Sequence, residues 1–181
     1  MNINKNDLRQ HFLAKRKIFD PTHSNPQLNS LLFHFLEQSF PNNVIGAYYP
    51  IASEANILPT VKKLLKNWTI GLPLLSNQNI EFHKYTSSTQ LTLNKYNCFE
   101  PLDSTIIQPT IILTPLIAVD LKGDRLGYGK GLYDRYFGSL KNNVVKIGIC
   151  YNMQITDYIP AESHDIPLNL IITENNIHYC Q

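Results

Sequence analysis

The sequence predicts an α/β protein: a three-layer sandwich with a central, mainly parallel or mixed sheet flanked by helices. Three observations carry that expectation. Residues 43–67, NVIGAYYPIASEANILPTVKKLLKN, read as strand, loop and amphipathic helix. Residues 110–119, TIILTPLIAV, are predominantly apolar and uncharged, as suits a buried strand. Strand-like and helix-like segments alternate along the chain, without repeats or low-complexity tracts, as a layered α/β fold requires.

Residues 4–19 are expected to be helical. Lys5, Arg9, Phe12 and Arg16 fall on one face of that helix, a cationic stripe that would ordinarily be solvated. A second helix is expected over 26–39, where Leu28, Leu31, Leu32, Phe35 and Leu36 keep the spacing of a core-facing side. A strand from Val44 to Tyr49 then leads to a helix with Ser53 as N-cap, Glu54 in the first turn, and Ile57, Val61, Leu64 and Leu65 inward. Glu54 has two readings, a helix-dipole partner or a site carboxylate. WTIGLPLL and NIEFHKY read as strands, and the run 110–119 as one strand ending at Asp120. DLKGD is a turn, residues 131–140 a helix, and VVKIGICY and NLIITE the closing strands.

The 181 residues, 43% apolar, suit a single domain spanning 1–181. A formal net charge of +2 argues against a general nucleic-acid or membrane-surface binder, so an anionic ligand must be met by locally clustered cations. The N-terminus is polar and no apolar run approaches membrane-spanning length, so a cytoplasmic protein without membrane contact is expected. Cys98, Cys150 and Cys180 are odd in number and far apart, which argues against a disulfide framework or zinc site.

Residues 123–137, GDRLGYGKGLYDRYF, combine four glycines with Arg125, Lys130 and Arg135. Glycines allow close backbone approach and the cations supply donors, a pairing suited to phosphate. The stretch matches neither a Walker loop, since Gly131 follows Lys130, nor a dinucleotide fingerprint, since its spacing is G-x-G-x-G. It follows a buried strand and leads into a helix, so loop amides and helix N-terminus can face one anion. The alternative is a glycine-rich loop whose cations face water. Asp134, in the first helical turn, either balances the dipole or holds a divalent cation.

The segment PLIAVDLKGDRLGYGKGLYDRYF resembles the signature of the 5-formyltetrahydrofolate cyclo-ligase family, also called methenyltetrahydrofolate synthetases. KNDLR, YYPIASEANI, FEP, IGICYNMQ and ESHDIPLNLIITE occur in the matching order, so the resemblance runs almost end to end. It implies an α/β enzyme that uses ATP and Mg²⁺ to convert 5-formyltetrahydrofolate into 5,10-methenyltetrahydrofolate, releasing ADP and phosphate, with small-molecule partners and a monomeric chain.

The same resemblance assigns roles. Lys5 and Arg9 are expected to meet ATP phosphates, and Arg125, Leu126, Gly127, Tyr128, Gly129, Lys130, Gly131, Leu132 and Tyr133 to form the ATP loop. Lys130 and Arg125 are the expected catalytic cations. Tyr49 and Glu54 are expected to contact folate, together with Tyr128 and residues Gly129, Lys130, Gly131 and Leu132; Asp134 and Asp165 match the Mg²⁺ carboxylates. The Arg9 and Arg125 guanidinium groups are expected to face solvent and phosphate rather than core. His164 has no role beyond structure. Leu132 replaces a second tyrosine common in the family, and Asn97 replaces a glycine, a position where Asn tolerates left-handed backbone. Two competing readings remain at this stage: a non-catalytic nucleotide- or RNA-binding protein, and an isomerase or CoA-transferase-like α/β enzyme.

Overall fold

The computed structural model describes residues 4–76, 79–140 and 143–180. In chain order the elements are α1 (Lys5–Ile18), α2 (Ser24–Ser39), β1 (Val44–Gly46), α3 (Leu58–Leu64), β2 (Thr69–Ser76), β3 (Asn79–Tyr85), β4 (Leu91–Leu93), β5 (Phe99–Pro101), β6 (Ile111–Pro115), β7 (Ala118–Val119), β8 (Arg125–Leu126), α4 (Leu132–Ser139), β9 (Val145–Ile149), β10 (Leu170–Ile172) and β11 (Ile177–Tyr179).

Seven strands form the central sheet in the order β11-β10-β9-β6-β1-β2-β3. The inner five run parallel, and β3 and β11 close the two edges antiparallel. The expected mainly parallel sheet is therefore present. Period-two alternation divides its core: Ile111 and Leu113 pack with the side chains of α2 and α3, whereas Ile112 joins Phe82 and Phe137 of α4 on the opposite face. Helix α1 stands apart, laying Phe12 on Ile117, Ala118 and Leu126 of the β7–β8 hairpin.

Three boundaries differ from expectation, each for a local reason. Strand β1 stops at Gly46, and α3 begins only at Leu58 with Ile57 as its N-cap. Residues 47–57 make a loop, folded on itself by the Tyr48 hydroxyl donating to Ala55 O at 2.7 Å and by Ala52 at φ 48°. Ser53 therefore caps no helix; its Oγ accepts from Arg16 Nε at 2.9 Å.

The run 110–119 is two strands. Pro115, with no amide to donate, ends β6, and the chain turns into β7, which pairs antiparallel with β8. The turn between them is held by Asp120, whose Oδ1 accepts from the Lys122 and Asp124 amides and Oδ2 from the Ile159 amide. Gly123, at φ 92°, is required there, because a Cβ would lie 2.6 Å from Leu168 O. The β4–β5 hairpin went unpredicted; Asn97 turns it at φ 57°, in the left-handed region. The three cysteines are free, and among the described residues no helix is long and apolar enough to cross a membrane.

Candidate active site

Read in sequence order, the five parallel strands lie 2-1-3-4-5, so the winding direction reverses between β1 and β6. Loops leaving the carboxyl ends of two such strands diverge and leave a crevice. A cavity of about 670 Å³ lies there, bounded by the loop after β1, Pro115 at the end of β6, and the glycine loop after β8. All fifteen residues assigned a binding, catalytic or metal role from the sequence line it.

One half is charged. Helix α1, capped by the Asn4 side chain on the Asn6 and Asp7 amides, directs its stripe inward. Lys5 Nζ meets Asp165 Oδ2 at 2.6 Å and Glu162 Oε1 at 2.8 Å. Burial opposes the charge on Lys5, but its bonds to these two carboxylates outweigh it and hold its pKa above the usual lysine value. Arg9 Nε donates to Gly127 O at 2.8 Å, and its guanidinium lies against Gly129. The solvated-face reading of the stripe thus gives way: the stripe is the inner face of α1.

Gly129 and Gly131 have φ of 85° and 59°, and Gly131 is the N-cap of α4. The loop thus reaches left-handed geometry twice in three residues, which side-chain-bearing residues resist. Lys130 is exposed and stands over the Tyr96 ring at 5.8 Å; among the described residues it meets no carboxylate.

Arg125 departs from expectation. Its side chain is 6% exposed, donates to Asp134 Oδ1 at 2.6 Å and to Ile166 O, and lies over the Phe137 ring. Burial lowers its pKa, and Asp134 opposes that shift. The guanidinium faces core and carboxylate rather than solvent, because β8 leads it beneath α4. Asp134 Oδ1 also accepts from the amide of Ile166, next to Asp165, so folding brings two carboxylates thirty-one positions apart into one neighbourhood.

The other half is aromatic. Glu54 is 8% exposed, and its Oε2 accepts from the Ile51 amide at 3.0 Å. Burial pushes its pKa up to about 7, against the opposing pull of that amide and of Arg16. Tyr48, Tyr49, Tyr128 and Tyr133 line the cavity with it, and Tyr49 packs on Phe99 with centroids 4.8 Å apart. Leu132 turns its side chain toward the Ile80–Phe82–Phe137 cluster. Sequence reasoning missed Tyr96, Asn94 and Cys98, which the β4–β5 hairpin brings to the wall. Only the FEP motif hinted at that hairpin. Glu162 and His164 also line the cavity; Glu162 pairs with Lys5, and His164 Nε2 lies 3.8 Å from Asp165 Oδ1.

A glycine loop flanked by Lys5, Arg9 and Lys130 and facing a buried carboxylate among tyrosines, at the switch point of a doubly wound sheet, defines an α/β enzyme whose cavity suits a polyanion and a donor-rich ring side by side. Comparison with known proteins narrows this. The 5-formyltetrahydrofolate cyclo-ligase family matches residues 2–174. A 5-formyltetrahydrofolate cyclo-ligase of Mycoplasma pneumoniae is 30% identical over 177 residues, covering 95% of this chain and 99% of that one. The Escherichia coli K12 protein of the same name is 28% identical over 148 residues, covering 75% and 80%. The solved 5,10-methenyltetrahydrofolate synthetase of Aquifex aeolicus superposes with a TM-score of 0.85 at 28% identity, covering 98% of this chain and 93% of that one. That of Mycoplasma pneumoniae gives 0.79 at 27%, covering 95% and 99%. The chain belongs to the 5-formyltetrahydrofolate cyclo-ligase family. Membership sets aside the non-catalytic binder and the isomerase or CoA-transferase-like alternatives.

Proposed function

We propose that the chain uses ATP to close 5-formyltetrahydrofolate into 5,10-methenyltetrahydrofolate, releasing ADP and phosphate. The observation that carries this reading is the division of one cavity into a cationic glycine-loop half and a carboxylate-and-tyrosine half. A polyphosphate fits the first. The second suits a pterin, whose amino-pyrimidine edge presents donors to Glu54.

The chemical problem is that a formamide oxygen leaves poorly. Transfer of the γ-phosphoryl to that oxygen, with ADP leaving, gives an iminium phosphate; the neighbouring anilino nitrogen then attacks the formyl carbon, its proton passes to the departing phosphate, and the C–O bond breaks. Catalysis here is positioning and charge neutralisation. Lys130, free to swing, and the loop amides meet the transferred phosphoryl. Arg9 anchors the loop and faces the phosphates. Lys5 meets them too by exchanging its carboxylate partners. Arg125 acts from behind, holding Asp134 and the 165–167 segment.

Asp134 and Asp165 are the residues that would hold Mg²⁺. They fit it: the hydrogen bonds made among the described residues occupy Asp134 Oδ1 and Asp165 Oδ2, and none of them is made by the sister oxygens. Mg²⁺ is commonly held by one or two carboxylates together with substrate phosphates, so the lack of a three-ligand cluster among the described residues suits it. When bound, the ion neutralises phosphate charge. We further read residues 1–181 as one domain acting as a monomer in the cytoplasm on small molecules rather than nucleic acid; support comes from a site built within one chain and a net charge of only +2.

The test is direct. Purified protein mixed with 5-formyltetrahydrofolate, ATP and Mg²⁺ should produce the near-ultraviolet band of the methenyl product. Folded protein that yields no band at any ATP concentration rejects the reading.

A further inference from the structure

Arg16 has no part in the proposed reaction, yet the residue is only 1% exposed. Its Nε donates to Ser53 Oγ at 2.9 Å, one Nη to Leu116 O at 3.1 Å and the other to the Tyr128 hydroxyl at 2.6 Å. These acceptors belong to three segments that frame the cavity: the loop after β1, the chain leaving β6, and the glycine loop. All three are neutral, and among the described residues Arg16 forms no direct ion pair. A cation buried on neutral partners alone is costly, so a compensating charge must lie nearby. Glu54, adjacent to Ser53 and itself buried, is that charge; the field of Arg16 favours its ionised form.

We infer that Arg16 is a positioning residue: from behind the cavity wall it holds the Glu54 loop and Tyr128 in one register, and its positive charge lowers the cost of ionising Glu54 to receive a donor-rich ring. The inference rests on the proposed reaction for the identity of that ring. The other groups facing Glu54 are Tyr48 at the end of β1, Tyr128 and Tyr133 on the glycine loop and α4, and Cys98 on the β4–β5 hairpin. Burial raises the pKa of all four, so they stay neutral and Arg16 supplies the compensating charge.

The experiment is a carboxyl-¹³C titration of ligand-free protein labelled at glutamate, with the Glu54 resonance assigned by its loss in Glu54→Gln. In Arg16→Met the Glu54 midpoint should rise by roughly one pH unit, as removal of a nearby opposite charge predicts. Arg16→Lys, which keeps the charge but not the three-way fork, should keep the midpoint and raise the folate KM more than it lowers kcat. Should Arg16→Met fail to fold, Arg16→Gln, which keeps donors without charge, is read in the same way. An unmoved midpoint in the folded neutral variant, or an Arg16→Lys enzyme with wild-type folate KM, overturns the inference. The titration needs no turnover: a shifted midpoint beside absent cyclisation in wild type rejects the reaction and leaves the Arg16–Glu54 link standing.

Discussion

Lys5 Nζ lies 2.6 Å from Asp165 Oδ2, joining the first turn of the first helix to a loop 160 residues further along the chain. The contact sits inside the cavity, whose wall both side chains line, so a ligand that took over the lysine would release the carboxylate.

The proposed transfer of Lys5 to phosphate would free Asp165 to hold an ion beside Asp134. Asp134→Asn and Asp165→Asn should each raise the Mg²⁺ concentration for half-maximal rate. The double variant should be little worse than the worse single, because groups serving one ion act as a unit. A Mg²⁺ titration of the three variants checks this. Losses that add in free energy, or that no excess of Mg²⁺ alters, would contradict a shared ion.

The cations should separate by burial. Lys130→Ala removes an exposed side chain, so the melting temperature should stay near wild type while ATP-dependent turnover falls by about 10²–10³. Arg9→Ala should behave similarly, with a small loss of stability from its bond to Gly127.

Arg125→Ala should act on the fold instead. Its removal leaves Asp134 half-buried without its cation, and breaking a pair of this kind costs about 3 kcal/mol or more. Denaturant unfolding of Arg125→Ala against Lys130→Ala decides the matter; equal stability in the two would return Arg125 to a purely phosphate-facing role.

Glu54 predicts a pH dependence whose sign is fixed. Its folded pKa of about 7 exceeds the ordinary glutamate value of 4.5, so between those limits the native state binds more protons than the unfolded chain. Stability should therefore fall as pH rises through this window, by about 3 kcal/mol at most. Glu54→Gln should flatten that slope in urea titrations at pH 5 and 8. It should also raise the folate KM by a factor corresponding to about 1–3 kcal/mol, with a smaller effect on the ATP KM. Equal effects on both substrates would assign Glu54 to the fold alone.

Much of this was legible in the chain. The apolar register of Leu28, Leu32 and Leu36 identified α2, and the glycine spacing at 127, 129 and 131 identified a loop that must approach its ligand closely. What the sequence concealed were choices made by distant partners. The α1 stripe reads as solvated from periodicity, because nothing local shows that Asp165 and the carbonyl of Gly127 wait opposite it. Ser53 has the composition of an N-cap, but its hydroxyl is taken by an arginine 37 residues earlier. The run 110–119 carried its own break in Pro115, which ends β6, but nothing local showed that the chain beyond would pair as a hairpin. Arg125 looks like Lys130 among the cations of the sequence; only the packing of α4 separates a buried brace from an exposed side chain.

The tie between α1 and the 162–165 loop also has a meaning for synthesis. On a ribosome releasing residues in order, Lys5 and Arg9 emerge ahead of the chain that fixes them, which arrives more than a hundred residues later. At about 5–20 residues per second, many seconds separate the two. A nascent or prematurely ended chain therefore presents its basic helix with neither the Gly127 carbonyl nor Asp165 to meet it.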